Sequence, residues 1–112
     1  MPVDDSRISG FYALDANERR KIISERTGIS ADDMTPWSNP DSMDVDTADR
    51  MIENVVGRYS LPVGIGMNFL VNGMPRLIPF CVEESSIVAA ASNIAKRAHS
   101  CGGFNTEMDP PR

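Results

Sequence analysis

Ile65, Met67, Phe69 and Val71 alternate with Gly64, Gly66, Asn68 and Leu70, and Asn72-Gly73 follows without a gap. A period of two places successive side chains on opposite faces and marks a strand. Asn-Gly is the strongest short signal for a two-residue hairpin turn, because both positions tolerate the positive φ that such a turn needs. The pattern predicts a hairpin whose return strand runs from Met74 to about Val82. Glycines along one face let another element approach the backbone closely, and Pro75 and Pro79 place the return strand at an edge or a bulge.

Helices are expected on either side of the hairpin. Asp15-Ala-Asn-Glu18 reads as a capping box, and Gly28 as the left-handed stop of the helix that follows. Leu14, Ile22, Ile23 and Ile29 give that helix only a narrow apolar stripe, as suits a position on the surface of something larger. A short helix is expected from Ser30 through Asp33 to Trp37, with Pro36 and Pro40 breaking regularity. A third is expected over 44–54, where Val45, Ala48, Met51, Ile52 and Val55 recur at helical spacing and Gly57 offers a stop. The last helix starts near Ser85 or Ser86 and ends near His99. Residues 87–91 are apolar all round, which predicts a buried N-terminus and a surface C-terminus. After Phe104 the chain turns polar and reads as a linker or a cut end.

Size and charge bound the function. At 112 residues the chain is one domain or part of one, with 41% hydrophobic and 24% charged residues. Lys+Arg total 11 against Asp+Glu 16, a net charge of -5, which argues against a nucleic acid or an anionic membrane as partner. The acids crowd Asp32, Asp33, Asp41, Asp44, Asp46 and Asp49, with Arg50 the only base near them in sequence. No apolar run approaches the ~20 residues a membrane span requires. Met-Pro-Val-Asp-Asp lacks the basic and apolar regions of a signal peptide, and Cys81 and Cys101 do not make a disulfide framework. The expected compartment is cytoplasmic.

The stretch best suited to chemistry is Phe80-Cys-Val-Glu83-Glu84-Ser85-Ser86-Ile-Val-Ala-Ala-Ala-Ser92. Two carboxylates and two hydroxyls stand where an apolar strand joins an apolar helix, and acids are seldom taken inside without a partner or a task. Alternation sends Glu83 and Glu84 to opposite faces, so they are not a matched pair. Ser85 and Ser86 offer an N-cap, and a helix N-terminus receives anions. Amide dipoles there favour an ionised carboxylate, whereas an apolar surround favours the acid, and a proton donor near neutral pH needs the second to win. Taken alone, the pattern also fits two acids that merely complement a helix dipole.

A second constellation is Met51-Ile-Glu53-Asn54-Val55-Val56-Gly57, where a polar pair ends an amphipathic helix. An exposed helix end explains it equally well, although Glu at a C-terminus is mildly unfavourable and hints at a partner for Glu53. Gly64-Ile-Gly66 lacks the third glycine and following helix of a dinucleotide fingerprint. His99 needs no role on a surface turn. Cys81 reads as a small buried hydrophobe, and Trp37 and the methionines as packing residues. No Cys/His spacing suggests a metal.

Ser6-Arg7-Ile-Ser-Gly-Phe11, Ala48-Asp-Arg-Met-Ile-Glu53-Asn54-Val-Val-Gly57, Leu61-Pro62, Asn68-Phe69, Asn72-Gly73 and Val82-Glu83-Glu84-Ser-Ser86-Ile-Val-Ala-Ala-Ala-Ser-Asn93 occur in that order. Together they resemble the N-terminal part of class II 3-hydroxy-3-methylglutaryl-coenzyme A (HMG-CoA) reductase, over residues 6–104. The resemblance implies an α+β fold: N-terminal helices over 1–43, then a Gly-containing hairpin and a buried helix over 44–104 as part of a larger substrate-binding domain, with 105–112 as linker or end. It implies a four-electron reduction of the thioester to mevalonate and CoA, or its reverse, with two hydrides from NADH or NADPH bound by a domain absent from this chain. By motif position Glu84, not Glu83, is the catalytic acid, and Ser86 contacts the glutaryl end of the substrate. Glu53 and Asn54 fall close to a subunit interface, which implies a homo-oligomer built from dimers.

Two residues depart from the family. Ser85 stands where many members have Pro, which loosens the turn. Tyr12 stands where a basic residue often binds the coenzyme A phosphate, so the resemblance does not carry that contact over. The family's catalytic Lys, Asp and His lie downstream of the matched motifs, so the isolated 112 residues are expected to be inactive. A non-catalytic association module, or a truncated fragment without activity, is the competing reading. The first helix's narrow stripe and an unfinished sheet edge would then serve subunit contact.

Overall fold

A computed structural model describes residues 3–39 and 41–111. The hairpin is its centre. Strand β1 (Val63–Val71) pairs antiparallel with β2 (Met74–Cys81), joined by Asn72 at φ 51° and Gly73 at φ 77°. Both turn residues are left-handed, as the mirror-image turn demands. Around the hairpin lie α1 (Ala16–Thr27), α2 (Thr35–Ser38), α3 (Val45–Met51) and α4 (Ile87–His99), with 3-10 turns at Phe11–Ala13 and Asp32–Met34. The fold is α+β.

The alternation in β1 does not run through. Gly66 pairs with Ile78 and Phe69 with Arg76, so Met67 and Asn68 together oppose Leu77 in a β-bulge, with Asn68 at φ 69°. One extra residue reverses the phase. By the register, Phe69 and Val71 join the Gly64 and Gly66 face, instead of sharing a face with Ile65 and Met67 as the simple alternation predicts.

Each face of the hairpin has its own cover. Leu77, with no exposed surface, packs with Ile8, Phe11, Ile23 and Met34, and Ile65 and Met67 rest against this cluster. Burying a side chain of that size contributes about 1.5–3 kcal/mol. Helix α1 reaches the cluster through Ile23. It begins on the expected capping box, where the Asp15 side chain accepts from the Glu18 N–H at 2.8 Å and Glu18 accepts from the Asp15 N–H at 3.1 Å. It stops at Gly28, φ 74°. On the other face α4 lies against β1. A Cβ at Gly64 would stand 3.2 Å from a Val88 methyl, and one at Gly66 would meet the Phe80 and Phe69 rings.

The prolines of β2 cost no ladder bond. The Pro75 carbonyl accepts from the Val3 N–H at 3.4 Å, so this residue turns its backbone away from β1, and Pro79, four residues on, shares that side. At the far end of β1 the chain returns as a parallel bridge between Val71 and Phe104. Phe104 donates to the Leu70 carbonyl at 2.7 Å, and Thr106 and Asn72 bond to each other through two hydrogen bonds. Thr106, expected in a polar tail, is tied to the turn.

Several local expectations are corrected. Pro36 does not break its helix but sits in the first turn of α2, where a missing N–H is harmless; Pro40 lies outside the described residues. Helix α3 ends at Met51 rather than continuing to 54, and Ile52 is extended at φ -139°. Its apolar positions Val45, Met51 and Ile52 are exposed, and a helix this short does not propagate without burial. Its start is secure: the Asp44 carboxylate accepts from the Thr47 N–H at 2.7 Å. The base that serves the acidic segment is Arg58, not Arg50, paired with Asp41 at 3.1 Å and bonded to the Met43 carbonyl. Cys81 is exposed rather than buried, at the open end of the hairpin. Trp37 is only partly covered.

Candidate functional site

Residues 82–86 join β2 to α4, and both ends of this loop are fixed. The Val82 N–H donates to the Pro62 carbonyl at 3.2 Å, and the Ser86 carbonyl accepts the first helical bond, from the Ala90 N–H, at 2.8 Å. Ser86 occupies the N-cap position but at φ 74°, in the left-handed region. That is an uncommon conformation for a residue with a Cβ and carries a small strain.

The conformation turns the Ser86 side chain away from capping. No side chain caps α4, so the expected serine cap is corrected. Among the described residues the Ser86 hydroxyl has no partner, and no side chain occupies the first-turn amides of α4. Glu83 and Glu84 are both exposed, and among the described residues Glu84 forms no hydrogen bond or ion pair. A free carboxyl, a free hydroxyl and uncapped amides within one loop can hold an anionic group and exchange a proton with it.

The apolar surround expected at the start of α4 is missing from these residues. Val88, Ala91, Ser92 and Ala95, at helical spacing, form the face that packs inward. Ile87, Ala90 and Ile94 form a second apolar face that is bare, with Ile94 60% exposed. The all-round apolar start of α4 therefore corresponds to two faces, of which this chain covers one.

Glu53 and Asn54 are placed elsewhere, in the bend after α3. Both are exposed, with Asn54 at φ 58°. Glu53 is thus past the helix, and its expected clash with the C-terminal dipole does not arise. Met51, Ile52, Val56 and Tyr59 around them are bare. Among the described residues no hydrogen bond joins this segment to the 82–86 loop. Tyr12 is exposed, and its carbonyl accepts from Arg19 at 2.8 Å.

The Asp44 carboxyl is held below the usual carboxylate value chiefly by the Thr47 side chain and also by the Thr47 N–H. No group of three or more His, Cys, Asp or Glu side chains among the described residues could hold a metal ion. No helix among them is long and apolar enough to cross a membrane. Gly64 and Gly66 are covered by Val88 and the Phe80 and Phe69 rings, so they offer no cradle to a dinucleotide.

One arrangement escaped sequence reasoning, which met its residues only as motif members and gave them no shared role. Buried Ser6 and Ser92 and half-buried Asn68 form a polar network at the bulge, where Ser92 Oγ accepts from the Met67 N–H at 3.0 Å. The available signal was Asn68, a residue tolerant of positive φ in the middle of a strand pattern.

The model of the family described as hydroxymethylglutaryl-coenzyme A reductase matches residues 15–110. The 3-hydroxy-3-methylglutaryl-coenzyme A reductase of Archaeoglobus fulgidus is 48% identical over 102 residues, which are 91% of this chain and 23% of that protein. A probable reductase of the same name from Borreliella burgdorferi is 35% identical over 94 residues, 80% of this chain and 21% of that protein. Among solved structures, the Streptococcus pneumoniae reductase superposes with a TM-score of 0.78 at 35% identity, covering 88% of this chain and 27% of that one. A class II reductase from the same organism, bound to NADPH in open conformations, gives a TM-score of 0.76. The chain spans about a quarter of the length of these relatives. With the family model covering residues 15–110 and a solved reductase superposing on 88% of the chain, the chain belongs to the hydroxymethylglutaryl-coenzyme A reductase family.

Proposed function

We propose that these residues form part of the substrate-binding region of a reductase that interconverts HMG-CoA with mevalonate and CoA. The observation that carries this reading is the 82–86 loop: Glu84 without a partner, Ser86 with an unused hydroxyl, and an uncapped helix start, at the positions of the family's motif. Glu84 is the proposed catalytic acid, giving a proton to the substrate oxygen as negative charge develops there. Ser86 Oγ and the first-turn amides of α4 are the proposed contacts for the glutaryl carboxylate.

The hydrides of the reaction come from NADH or NADPH. The proposed nicotinamide site lies outside this chain, a reading supported by Gly64 and Gly66 being covered by Val88 and the Phe80 and Phe69 rings. The bare apolar side chains around Glu53 and Asn54 support a subunit interface there, in a homo-oligomer built from dimers in the cytoplasm. The same exposure suits a plain association module, but that reading gives no task to the strained, uncapped loop at Ser86.

The test compares two polypeptides. The complete reductase carrying this chain oxidises NADH or NADPH only when HMG-CoA is present, and the isolated 112 residues do not. Hydride transfer by the isolated chain, or a complete protein indifferent to HMG-CoA, overturns the proposal.

A further inference from the structure

We propose that Ser92 and Asn68 are positioning residues that set where the 82–86 loop stands; this rests on the reductase reading of that loop. Helix α4 meets β1 mostly through small or apolar contacts: Val88 over Gly64, then Ala91 and Ala95. Such contacts are non-directional and fix the distance between helix and strand better than the helix's position along its own axis. The bulge adds direction. It releases Met67 and Asn68 from the ladder beneath the helix, and their polar groups then need partners.

Each partner is specific. The Met67 N–H donates to Ser92 Oγ at 3.0 Å, and Asn68 Nδ2 donates to the Ser92 carbonyl at 3.1 Å. From the other side, the Asn68 N–H donates to the Ser6 carbonyl at 3.0 Å and Ser6 Oγ donates to the Phe69 carbonyl at 3.0 Å. Ser6 is 1% exposed and Ser92 8%. No buried side-chain nitrogen or oxygen among the described residues lacks a partner.

A slip of α4 by one residue, about 1.5 Å, would strand these groups. Each buried polar group left unpaired costs about 1–3 kcal/mol. The network therefore holds α4 in a single axial register. Ser86 lies six residues before Ser92 on the rigid helix, about 9 Å along its axis, and Glu84 two residues further. Their positions follow from the bulge. An alanine at 92 would continue the run Ala89-Ala90-Ala91 and form helix more readily. Asn68 in turn accepts φ 69°, which few residues with a Cβ do. Both choices oppose local propensity and serve placement.

The experiment uses the complete reductase with Ser92→Ala, Ser92→Thr and Asn68→Gly. Gly keeps the left-handed backbone without strain while removing the side-chain amide, so it remains informative where Ser92→Ala folds poorly. With rates expressed per folded molecule, Ser92→Ala and Asn68→Gly should each lower kcat roughly 10–100-fold, as expected for a displacement near 1 Å, with KM for the nicotinamide unchanged. Ser92→Thr, which keeps the hydroxyl, should restore most of the rate. Wild-type kcat per folded molecule in either variant, whatever its melting temperature, overturns the proposal, as does a Thr variant no better than Ala. Glu84→Gln is measured alongside. If Glu84→Gln stays fully active, the functional reading of the loop itself has failed; if it is inactive while the other variants are not, only the positioning role has.

Discussion

Residues 63–95 and residues 41–61 are both rich in apolar side chains, yet the chain completes one region and leaves the other bare. In the first, β1 buries Ile65 and Met67 on one side and meets Val88 and Ala95 on the other. At its bulge the Met67 N–H, the Asn68 N–H and the Asn68 amide nitrogen all have partners. In the second, Val45, Met51, Ile52, Val56 and Tyr59 are exposed, and the ion pair present, Arg58 with Asp41, ties the segment only to itself. Apolar exposure on this scale marks a surface that meets something else. The contrast separates what is packed within this chain from the surface proposed above to meet another subunit. The 82–86 loop sits on the border: its backbone belongs to the completed region, and its free carboxyl and hydroxyl face outward.

The comparison breaks most visibly at Leu77. Leu77→Ala empties the centre of the completed region and should destabilise by about 2–5 kcal/mol, read as a shift in the urea midpoint. A midpoint within error of wild type would mean that this cluster is not the core. Gly66→Val should follow, at about 1–3 kcal/mol, because its side chain would land on the Phe80 and Phe69 rings. Gly64→Ala should be milder, since the Val88 methyl 3.2 Å away has only to yield slightly.

In the bare region the expectation is opposite. Ile52→Lys and Val56→Asp should change the stability of the chain by no more than about 0.5 kcal/mol. In the complete reductase the same substitutions should weaken subunit association, measured by sedimentation. Unchanged assembly would remove this surface from the interface.

The smallest effect concerns Asp44. Its carboxyl is held below the usual carboxylate value by the Thr47 side chain and N–H, so its contribution to α3 is fully present above the unfolded value of 3.8. The contribution is lost as pH falls through the lowered folded value. The protection factor of the Thr47 amide, the unstructured exchange rate divided by the observed one at the same pH, should therefore fall in acid in the wild type and be insensitive to that titration in Asp44→Asn.

Much of the completed region was legible in sequence. The capping box at Asp15 and Glu18, the stop at Gly28 and the Asn72-Gly73 turn are local devices, in which neighbouring residues satisfy one another. What failed depended on contacts distant in sequence. Simple alternation places Phe69 with Met67, but Asn68 takes a left-handed conformation held by Ser6 and Ser92, and the bulge reverses the phase. The helix expected to reach 54 stops at Met51, where only Ala48 is buried and Val45, Met51 and Ile52 are exposed.

The candidate site divides the same way. Glu84 and Ser86 were singled out by an unusual juxtaposition of acids, hydroxyls and apolar residues, and by an ordered set of family motifs. The serine cap was the wrong detail, since the left-handed φ of Ser86 frees its hydroxyl instead of spending it on the helix. The roles proposed for both residues stand on this freedom.

Glu84→Gln in the complete reductase tests that claim most directly, because the change removes a proton donor and acceptor with little change in shape. Turnover of HMG-CoA with NADH or NADPH should fall by roughly 10²–10⁴ while the melting temperature holds. Turnover close to wild type would contradict the account.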